Sequence, residues 1–340
     1  MEIYPRVAVI ILNWNGREFL KQFLPAVVAS SYPNLEVIVA DNKSDDDSVE
    51  MISTYFSTVR LILNNKNLGF AGGYNEALNQ VDADYFVLLN SDVEVTRGWI
   101  EPVVTLMESD PEIAVAQPKI KAWNNRNAFE YAGAAGGFID KYGYPFCRGR
   151  LFDTVETDEG QYNQATEVFW ASGATLFIKK ACWEKAGGFD ADFFAHMEEI
   201  DLCWRLKNMG YKIMYCPGSA VYHIGGGTLN STSPYKSYLN FRNNLAMLLK
   251  NLPKDKRFSI LFTRFWLDFI TLLKFLAGGQ FKQARAINKA HIAFFKDLRR
   301  NLNKASKSLP HRRHSGLYPG SIVWMYFVKG IRKFSQLEVD

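Results

Sequence analysis

The chain has 340 residues, 48% of them apolar, which is enough to bury the core of one large domain or two smaller ones. Its cysteines show neither CxxC pairing nor zinc-ligand spacing, which argues against a disulfide framework and a metal finger (Cys147, Cys182, Cys203 and Cys216). The N-terminal apolar run from Val7 to Leu12 is too short for a signal-peptide core or a membrane span. These features predict a protein of a reducing, cytosolic compartment that is not exported.

Charge is distributed unevenly along the chain. The formal net charge is +5, but residues 1–249 hold 21 Lys and Arg against 30 Asp and Glu, whereas residues 250–340 hold 19 against 5. The net charges of the two parts are therefore −9 and +14. We expect the acidic part and the basic part to meet different partners.

From Val7 to Leu89 short apolar runs alternate with helical segments. The apolar runs are VAVIIL, LEVIVA, VRLILN and DYFVLL; the helical segments are REFLKQFLPAVVAS and FAGGYNEALNQ, and DNKSDDD forms a polar turn. Continuous apolar runs of strand length indicate a parallel sheet that is covered on both faces. The pattern predicts a doubly wound α/β domain, with short strands of a mixed sheet beyond residue 112 and helices from residue 233.

Polar side chains follow each of these predicted strands. The clusters are Asn13 to Gly16, Asp41 to Ser44, Asn64 to Asn67, and Asn90 to Asp92. Any one of them is explained by a turn, because Asn, Asp and Ser favour turns for local reasons. In open α/β sheets, however, ligands bind outside the carboxyl ends of the strands, so four clusters at one edge favour a binding site.

The first cluster narrows the type of ligand. NWNGREFL contains one glycine, where the phosphate-binding fingerprint of dinucleotide enzymes needs three, and the sequence has no GxxxxGK[ST] motif. An NAD-dependent oxidoreductase is therefore disfavoured. Phosphates would be held in another way, of which a divalent metal ion on a carboxylate is the usual one.

Asp92 is the first candidate for such a carboxylate, because it follows a buried strand and can bind a hard cation whose other ligands are diphosphate oxygens. The alternative is that Asn90 and Asp92 only shape the turn and cap a helix near Arg97 to Glu108. His223, which ends a short strand before three glycines, is either a structural histidine or a second metal ligand.

A group of acids marks the predicted start of a helix in AHMEEIDLCWRLKNMGYKI. Glu198, Glu199 and Asp201 would all stabilise the helix dipole, and Asp201 could pair with Arg205 one turn later. Three acids in four residues repel one another, however, and a carboxylate placed there could act as a general base. Both interpretations remain open from the residues alone.

Together these segments resemble the family 2 inverting glycosyltransferases, which have the GT-A nucleotide-sugar-binding fold, and most closely the rhamnosyltransferase branch of bacterial polysaccharide synthesis. The resemblance rests on the ordered set VAVIILNWNG, VIVADNKSDDDS, NKNLGFAGGYNEAL, VLLNSDVEV, FWASGATLFIKK, GGFDADFFAHMEEIDLCWRLKNMGYKI and VYHIGGGT. It covers roughly residues 5 to 250, and the ordered set is far more specific than any single segment.

The resemblance implies a role for each polar cluster. Contacts to the nucleotide or donor sugar would come from Asn13, Asn15, Asp41, Asn67, Gly69, Gly72, Gly73, Asn90 and Ser91. The acceptor would be bordered by Trp170, Ser172 and Gly173. Asp92 matches the last Asp of the family's DxD metal motif, whose first position is Asn90 here. A Mg²⁺ or Mn²⁺ ion would therefore rest chiefly on Asp92, with His223 as a second ligand.

The family's catalytic base is the second residue of a Glu-Asp pair, and that position is Glu199 here. A glutamate keeps the carboxylate and lengthens its arm by one methylene, and Glu198 remains a rival for the role. The implied reaction is one displacement, in which the carboxylate takes the proton of an acceptor hydroxyl as it attacks the anomeric carbon. The configuration of the sugar is then inverted.

The C-terminal part contains an apolar stretch, Phe258 to Gly279, that is interrupted by Arg264, Asp268 and Lys274. Central charges cost about 2.5 to 3.5 kcal/mol each in a membrane span, so an amphipathic helix lying in the interface is favoured. The basic segments KDKR, KQARAINKAH, KDLRR and HRRH would suit anionic headgroups, with Ser321 to Lys333 as a second contact. The alternative is a helical subdomain or dimer interface with its apolar face inside.

We therefore expect a GT-A catalytic domain over residues 1–232, with a nucleotide-binding half (1–111) and an acceptor and catalytic half (112–232), followed by a basic helical extension (233–340). The expected activity is metal-dependent transfer of L-rhamnose from dTDP-L-rhamnose to a hydroxyl of a glycan or lipid-linked acceptor, at the inner face of a bacterial membrane. A UDP-hexose donor and a catalytically silent nucleotide-sugar-binding scaffold are the alternatives. No nucleic-acid-binding module is recognised, so nucleic acid is not an expected partner.

Overall fold

The structure is a computed structural model that describes residues 4–225, 233–305 and 314–339. The strands are β1 (Val7–Asn13), β2 (Leu35–Asp41), β3 (Arg60–Leu63), β4 (Tyr85–Asn90), β5 (Val93–Val95), β6 (Ile113–Ala122), β7 (Gly137–Asp140), β8 (Pro145–Cys147), β9 (Arg150–Leu151), β10 (Thr154–Val155), β11 (Thr166–Glu167), β12 (Thr175–Lys179), β13 (Lys212–His223) and β14 (Leu317–Tyr318). The helices are α1 (Arg17–Val28), α2 (Ser48–Tyr55), α3 (Gly69–Leu78), α4 (Glu101–Glu108), α5 (Lys180–Ala186), α6 (Glu198–Asn208), α7 (Pro234–Asn251), α8 (Lys254–Ala277), α9 (Phe281–Lys296), α10 (Leu298–Ala305) and α11 (Ile322–Phe327).

The large sheet has the order β11-β13-β6-β12-β4-β1-β2-β3, with β5 paired to β13. Strands β1 to β4 are parallel to one another, whereas β12 is antiparallel to both of its neighbours, β4 and β6. The mostly parallel, mixed sheet predicted from the sequence is confirmed. The carboxyl ends of β1, β2, β3 and β4 therefore lie at one edge of the sheet.

Alternate residues of β1 belong to two different cores. Ala8 and Ile10 pack into the core on one face of the sheet, and Val7, Val9 and Ile11 pack into the core on the other. Because both faces are covered, every residue of the strand can be apolar. This packing explains why the strand appears in the sequence as a continuous apolar run.

A second, smaller sheet has the order β10-β9-β8-β7-β14. Its last strand comes from the C-terminal segment, which returns from the helices and pairs β14 in parallel with β7. The Ile322 amide then donates to Asp140 Oδ2 at 3.0 Å, and the Phe334 amide donates to Glu156 Oε1 at 2.8 Å. The C-terminal part is helical from Pro234, as predicted, but its last segment is part of the smaller sheet.

Two details of the helices differ from the sequence prediction. The segment after β2 contains helix α2, which the prediction of a polar turn missed, because Met51 and Ile52 bury its inner face. Helix α4 begins at Glu101 rather than near Arg97, because Gly98 adopts a left-handed φ of 65° and Pro102 lies in the first turn of the helix. Strand β5 occupies part of the interval between β4 and α4.

Helix α8 contains the interrupted apolar stretch of the sequence. Arg264 and Asp268 are buried and paired, with Arg264 Nη2 3.2 Å from Asp268 Oδ1, and His291 Nε2 lies 3.1 Å from Asp268 Oδ2. The inner face of α8 is mixed, because it turns these charges inward together with buried Leu272 and with Leu261, Phe265 and Phe275, which pack against core side chains. The predicted alternative of an inward apolar face holds for these side chains, whereas a larger apolar row of α8 is exposed. In the part of the chain that is described, no helix is both long enough and apolar enough to cross a bilayer.

Candidate active site

The first cluster joins the ends of β1 and β2. Asn13 and Asp41 are register partners, and the Asn13 amide donates to Asp41 Oδ2 at 2.9 Å. Ser44 donates to the same carboxylate from its hydroxyl at 2.6 Å and from its amide at 2.9 Å. Asn15, in a left-handed conformation, donates from its backbone amide to Ser44 Oγ at 2.9 Å. The predicted nucleotide residues Asn13, Asn15 and Asp41 therefore form one hydrogen-bonded group.

Asn13 keeps one polar atom available for a ligand. Its Oδ1 is buried and has no hydrogen-bond partner within residues 4–225, 233–305 and 314–339. A Cβ on Gly16 would lie 2.5 Å from this oxygen and 3.3 Å from Ser91 Oγ. Because Asn13 is fully buried and a Cβ at position 16 would overlap its amide oxygen, this close packing requires glycine.

The loops after β2 and β3 are joined by Asn42, which the sequence analysis did not single out. Its amide donates to Asn67 Oδ1 at 3.1 Å and to the Gly69 carbonyl at 3.0 Å, and its own Oδ1 accepts from the Leu68 amide at 3.2 Å. Asn42 is buried, at 2% exposed. Its position directly after β2 is the signal in the sequence that could have identified it.

The predicted glycines of α3 serve close packing. Gly69 has a φ of +71°, and a Cβ there would lie 2.5 Å from Phe194. A Cβ on Gly73 would lie 2.8 Å from the Leu12 side chain, whereas one on Gly72 would meet only Leu68, at 3.0 Å. Gly69 thus allows the start of α3, where the predicted nucleotide residues lie, to pack against the loop that leads into α6.

The second cluster contains Asn90, Asp92 and His223. His223 Nε2 lies 3.1 Å from Asp92 Oδ1 and 3.4 Å from Asn90 Nδ2. The two chain segments meet because β5, which follows Asp92, pairs with the end of β13, with Val93 opposite His223. The predicted metal-binding pair is therefore adjacent in space although its members are 131 positions apart.

The charge of this cluster is shared among three buried groups. Burial opposes the charged imidazolium, but the hydrogen bonds to Asp92 and Glu130 outweigh it and raise the pKa of His223 to about 10. Burial likewise acts to raise the pKa of Asp92, but the His223 contact outweighs it and lowers that pKa. Glu130 Oε1 lies 3.4 Å from His223 Nδ1 on the side away from Asp92.

Glu130 and Lys236 are residues that the sequence analysis missed. Glu130 is 4% exposed and follows β6 without any motif that would mark it. Lys236, in the first turn of α7, is half-buried; burial lowers its pKa, and the charge of Glu130 opposes that change. Glu130 therefore lies beside His223, and Lys236 lies within electrostatic range of Glu130.

The donor set fits a divalent cation of limited protein ligation. Asp92 offers a carboxylate oxygen, and His223 would offer an imidazole nitrogen after a bound metal displaced its proton. A carboxylate behind the other ring nitrogen is the usual support of a ligating histidine. Among the residues that the structure describes, no group of three or more His, Cys, Asp or Glu side chains is arranged to hold a metal ion. A metal would therefore complete its coordination with ligand oxygens and water.

The third cluster is the start of α6, where the backbone is strained. Phe194, His196 and Met197 have φ values of 65°, 71° and 73°, in the left-handed region that side chains other than glycine rarely adopt. Such strain persists only where surrounding contacts enforce it, and it concentrates at functional sites. Here the strained residues come directly before Glu198 and Glu199, the first two residues of α6.

Glu198 and Glu199 each keep an unused oxygen. Neither Glu198 Oε2 nor Glu199 Oε2, both buried, has a hydrogen-bond partner in the described segments of the chain. Burial raises the pKa of Glu199 to about 7. Burial and then the charge of Glu199 raise the pKa of Glu198 well above its ordinary value. Burial therefore favours the protonated form of both carboxyl groups, and the charge of Glu199 further disfavours ionisation of Glu198.

Asp201, the third acid of this helix, is fully engaged in structural contacts. Arg205 Nε donates to it at 2.9 Å, Lys250 Nζ lies 2.9 Å away, and the Asn251 amide donates at 2.8 Å. Burial would raise the pKa of Asp201, but the charges of Lys250 and Arg205 outweigh it and lower that pKa. The predicted i,i+4 pair is thus present at Asp201, and a catalytic role for Glu198 and Glu199 stays a prediction.

The residues predicted to border the acceptor lie in the interior. Trp170 is 4% exposed and donates from its indole to the Phe138 carbonyl at 2.8 Å. The Ser172 amide donates to Gln117 Oε1 at 2.8 Å, and a Cβ on Gly173 would lie 3.2 Å from Phe70. These contacts join the segment before β12 to β6 and β7. That Trp170, Ser172 and Gly173 contact an acceptor stays a prediction. Of the three predicted glycines after His223, only Gly225 lies within the described residues.

Comparisons with known proteins identify glycosyltransferases with related sequences. Residues 8–166 match the family model described as glycosyl transferase family 2. The N-acetylglucosaminyl-diphospho-decaprenol L-rhamnosyltransferase of Mycobacterium tuberculosis is 24% identical over 229 residues, which are 63% of this chain and 75% of that protein. Rhamnosyltransferase WbbL of Escherichia coli is 23% identical over 224 residues, 64% of this chain and 83% of its own.

Solved structures show the same fold. The mannosyltransferase PcManGT from Pyrobaculum calidifontis, in complex with GDP-Man and Mn²⁺, superposes with a TM-score of 0.53 at 17% sequence identity. The superposition covers 90% of this chain and 85% of that one. The mostly parallel sheet is therefore a GT-A fold, and the match over residues 8–166 identifies that part of the chain as a glycosyl transferase family 2 domain.

Proposed function

We propose that this glycosyltransferase is an inverting, metal-dependent enzyme that uses Glu199 as its catalytic base. The observation that supports the proposal most strongly is the strained start of α6, where two buried carboxylates have unused oxygens while the neighbouring Asp201 is fully paired. A buried, unpaired carboxylate is costly for stability, which argues for a role in chemistry.

Glu199 suits the role of base better than Glu198. A general base works best when its pKa lies near the operating pH, and the pKa of Glu199 is raised to about 7. Its carboxylate would accept the proton of an acceptor hydroxyl while the hydroxyl oxygen attacks the anomeric carbon. The bond to the nucleoside diphosphate breaks on the opposite face of the sugar, so the configuration inverts. Burial and the charge of Glu199 both raise the pKa of Glu198, so Glu198 suits a hydrogen-bond donor better than a base.

The leaving group needs positive charge beside it. Asp92 and His223 would hold a divalent ion, which would neutralise the departing diphosphate when bound. The Mn²⁺ bound in the PcManGT structure supports this proposal, since that protein shares the fold. Lys236, half-buried beside Glu130, provides a second positive charge close to the same cluster.

For the donor we propose dTDP-L-rhamnose, on the ground that two relatives are named rhamnosyltransferases. A UDP-hexose is the rival donor in the same site. For the acceptor we propose a hydroxyl of a glycan or of a lipid-linked saccharide, as the name of the mycobacterial relative includes diphospho-decaprenol. Such an acceptor would place the enzyme at a membrane surface, facing the cytoplasm.

The test is a thermal-shift panel of nucleoside diphosphates and nucleotide sugars, with and without Mn²⁺ or Mg²⁺. We expect a metal-dependent rise in melting temperature that is selective for dTDP or UDP compounds and is lost in Asp92→Ala. Asp82→Ala, at an exposed carboxylate, is the matched control and should keep the rise. A rise without turnover of any donor would favour the silent scaffold, and no rise at all would refute nucleotide-sugar binding.

A further inference from the structure

The outer face of α8 is a row of large apolar side chains. Its members are exposed between 40% (Leu276) and 80% (Phe258): Phe258, Phe262, Trp266, Phe269, Ile270, Leu273 and Leu276. They recur at intervals of three or four residues, so they share one face of the helix over about 27 Å. Single exposed apolar residues are ordinary on soluble proteins, but a continuous row of this size marks an interaction surface.

The opposite face of α8 carries the charges. Arg264 and Asp268 are 3% and 0% exposed, and the Arg264 guanidinium lies 3.7 Å from the centre of the Tyr144 ring. Asp268 is contacted by both Arg264 and His291. Rotating the helix to bury its apolar row would break this buried ion pair and leave each charge without its partner. The contacts thus hold the apolar row outward.

The surroundings of the row are basic. Residues 250–340 hold 19 Lys and Arg against 5 Asp and Glu. Several of these cations flank the row along the chain, at the ends of α8 and on α9: Lys254, Lys256, Arg257, Lys274, Lys282, Arg285 and Lys289. Lys274 Nζ lies 5.0 Å from the ring centre of Phe327 on α11, which is itself 51% exposed, so the apolar surface continues onto that helix.

We propose that the outer face of α8 inserts into the interfacial region of a membrane that contains anionic phospholipids. Aromatic and aliphatic side chains would enter the boundary of the acyl chains, while the flanking lysines and arginines contact headgroup phosphates. A second copy of this chain is a poorer occupant, because a symmetric contact would bring two strongly positive segments together. The surface fits an anionic, apolar partner, and an anionic bilayer is both.

The face is connected directly to the active site. Only Leu252 and Pro253 separate α8 from α7, and α7 holds the loop before Glu198 through Asn243. A bilayer bound to α8 would therefore set the orientation of the site relative to the membrane surface. This deepens the proposed function and rests on it only for the purpose of the contact, a lipid-linked acceptor; the binding itself is independent of catalysis.

The test is flotation of the full-length protein with vesicles of phosphatidylcholine, with and without phosphatidylglycerol, at low and high salt. We expect wild type to float with the anionic vesicles and to bind them less at high salt. The double variant Phe262→Ser, Trp266→Ser should lose binding by about tenfold or more, since both side chains are exposed and would enter the bilayer. Tyr55→Ser, at an exposed aromatic residue that ends α2, is the matched control and should bind like wild type.

Either of two results would overturn the proposal. One is wild-type protein that stays at the bottom of the gradient with anionic vesicles at low salt, and the other is a double variant that floats as well as wild type. A dimer of wild type that the double variant abolishes, without flotation of either, would show that the face binds a second copy instead. Thermal unfolding of each variant checks that it is folded. The vesicles contain no acceptor and no nucleotide sugar, so failure of flotation and failure of glycosyl transfer are separate results.

Discussion

Asn243, in the middle of α7, donates its side-chain amide to the carbonyl oxygen of His196 at 2.8 Å, two residues before Glu198. The same amide also lies 2.9 Å from the carbonyl oxygens of Phe193 and Ala195. One side chain from the C-terminal helices thus satisfies three carbonyls of the strained loop. The helical part of the chain thereby contributes to the geometry of the candidate base.

We expect Asn243→Ala to lower turnover by more than its loss of stability explains. Removing the amide takes the side-chain donor from the part-buried carbonyls of Ala195 and His196, which costs about 2 kcal/mol, and the loop can leave its left-handed conformation. The measurement is kcat and donor KM at a temperature where the variant is folded, with kcat falling and KM nearly constant.

Asn244→Ala is the matched control for this variant. Asn244 is equally buried and donates to the Gly143 carbonyl at 2.7 Å, so its loss should cost similar stability. It makes no contact with the carbonyls that Asn243 holds, as far as the described residues show. Equal losses of kcat in both variants would contradict a specific role for Asn243.

The activity should depend on pH through Glu199. Because the pKa of Glu199 is raised to about 7, the fraction of base in the ionised form falls as pH drops below that value. We expect kcat to fall about tenfold per pH unit on the acid side. Glu199→Gln should lower kcat by about 10²- to 10⁴-fold. Glu198→Gln should lower it by much less, because burial and the charge of Glu199 disfavour the ionised form of Glu198. A larger loss from Glu198→Gln would exchange the two roles.

Stability should respond to pH in the opposite direction to activity. The native pKa of Glu199 lies above its ordinary value of 4.5, so the native state binds more protons than the unfolded state between about pH 4.5 and 7. The free energy of unfolding must therefore fall as pH rises through this window. Glu199→Gln should reduce that fall, leaving the part that Glu198, whose pKa is also raised, contributes in the same direction. The variant should be more stable than wild type at about pH 8, by up to about 3 kcal/mol, with little difference near pH 4. Urea unfolding of both proteins at the two pH values measures this, and parallel pH dependences would contradict it.

Glu130 should support metal binding through His223. Removing the carboxylate behind a ligating histidine lowers metal affinity by about 10- to 100-fold, so Glu130→Gln should need that much more Mn²⁺ to reach the nucleotide-dependent thermal shift. Glu94→Gln is the control, because Glu94 contacts Trp123 and Arg126 instead. An unchanged Mn²⁺ requirement in Glu130→Gln would show that His223 is not a ligand.

Substitution of Gly69 tests the contact between the start of α3 and the strained loop before α6. Gly69→Ala combines a left-handed φ with a Cβ 2.5 Å from Phe194, so it should cost more than the roughly 1 kcal/mol of backbone strain alone and should lower kcat. At Gly187, with φ of 77°, a Cβ meets no atom of the described residues within 4 Å. Gly187→Ala should therefore lose only the strain energy and keep its kcat, and equal effects of the two changes would refute the contact's role.

The parallel sheet could be predicted because β1 and β4 are buried on both faces and are therefore continuously apolar. The position of the polar residues that end these strands could be predicted for the same reason, since each lies at or just beyond the end of a recognisable strand, whereas their roles stay predictions. Asn42, Glu130 and Asn243 could not, because their partners are remote in the sequence and their residue types carry no pattern. For Asn243 and His196 the separation is 47 positions.

Helix α8 shows a different limit. The sequence correctly suggests that its charges make a membrane span costly, but periodicity alone does not say which face of the helix points inward. That depends on Tyr144 and His291, which meet Arg264 and Asp268 only in the folded chain. The direction of the apolar face is therefore a property of tertiary structure.

The most direct test of the central claim is proton NMR of the sugar as the enzyme transfers it from the donor that the thermal-shift panel identifies, with wild type and Glu199→Gln compared. A single displacement at the anomeric carbon, with the Glu199 carboxylate as base, predicts a product whose anomeric configuration is opposite to that of the donor. Wild type should form this product, and the variant should form almost none. A product that retains the configuration of the donor, or one formed equally fast by Glu199→Gln, would contradict it.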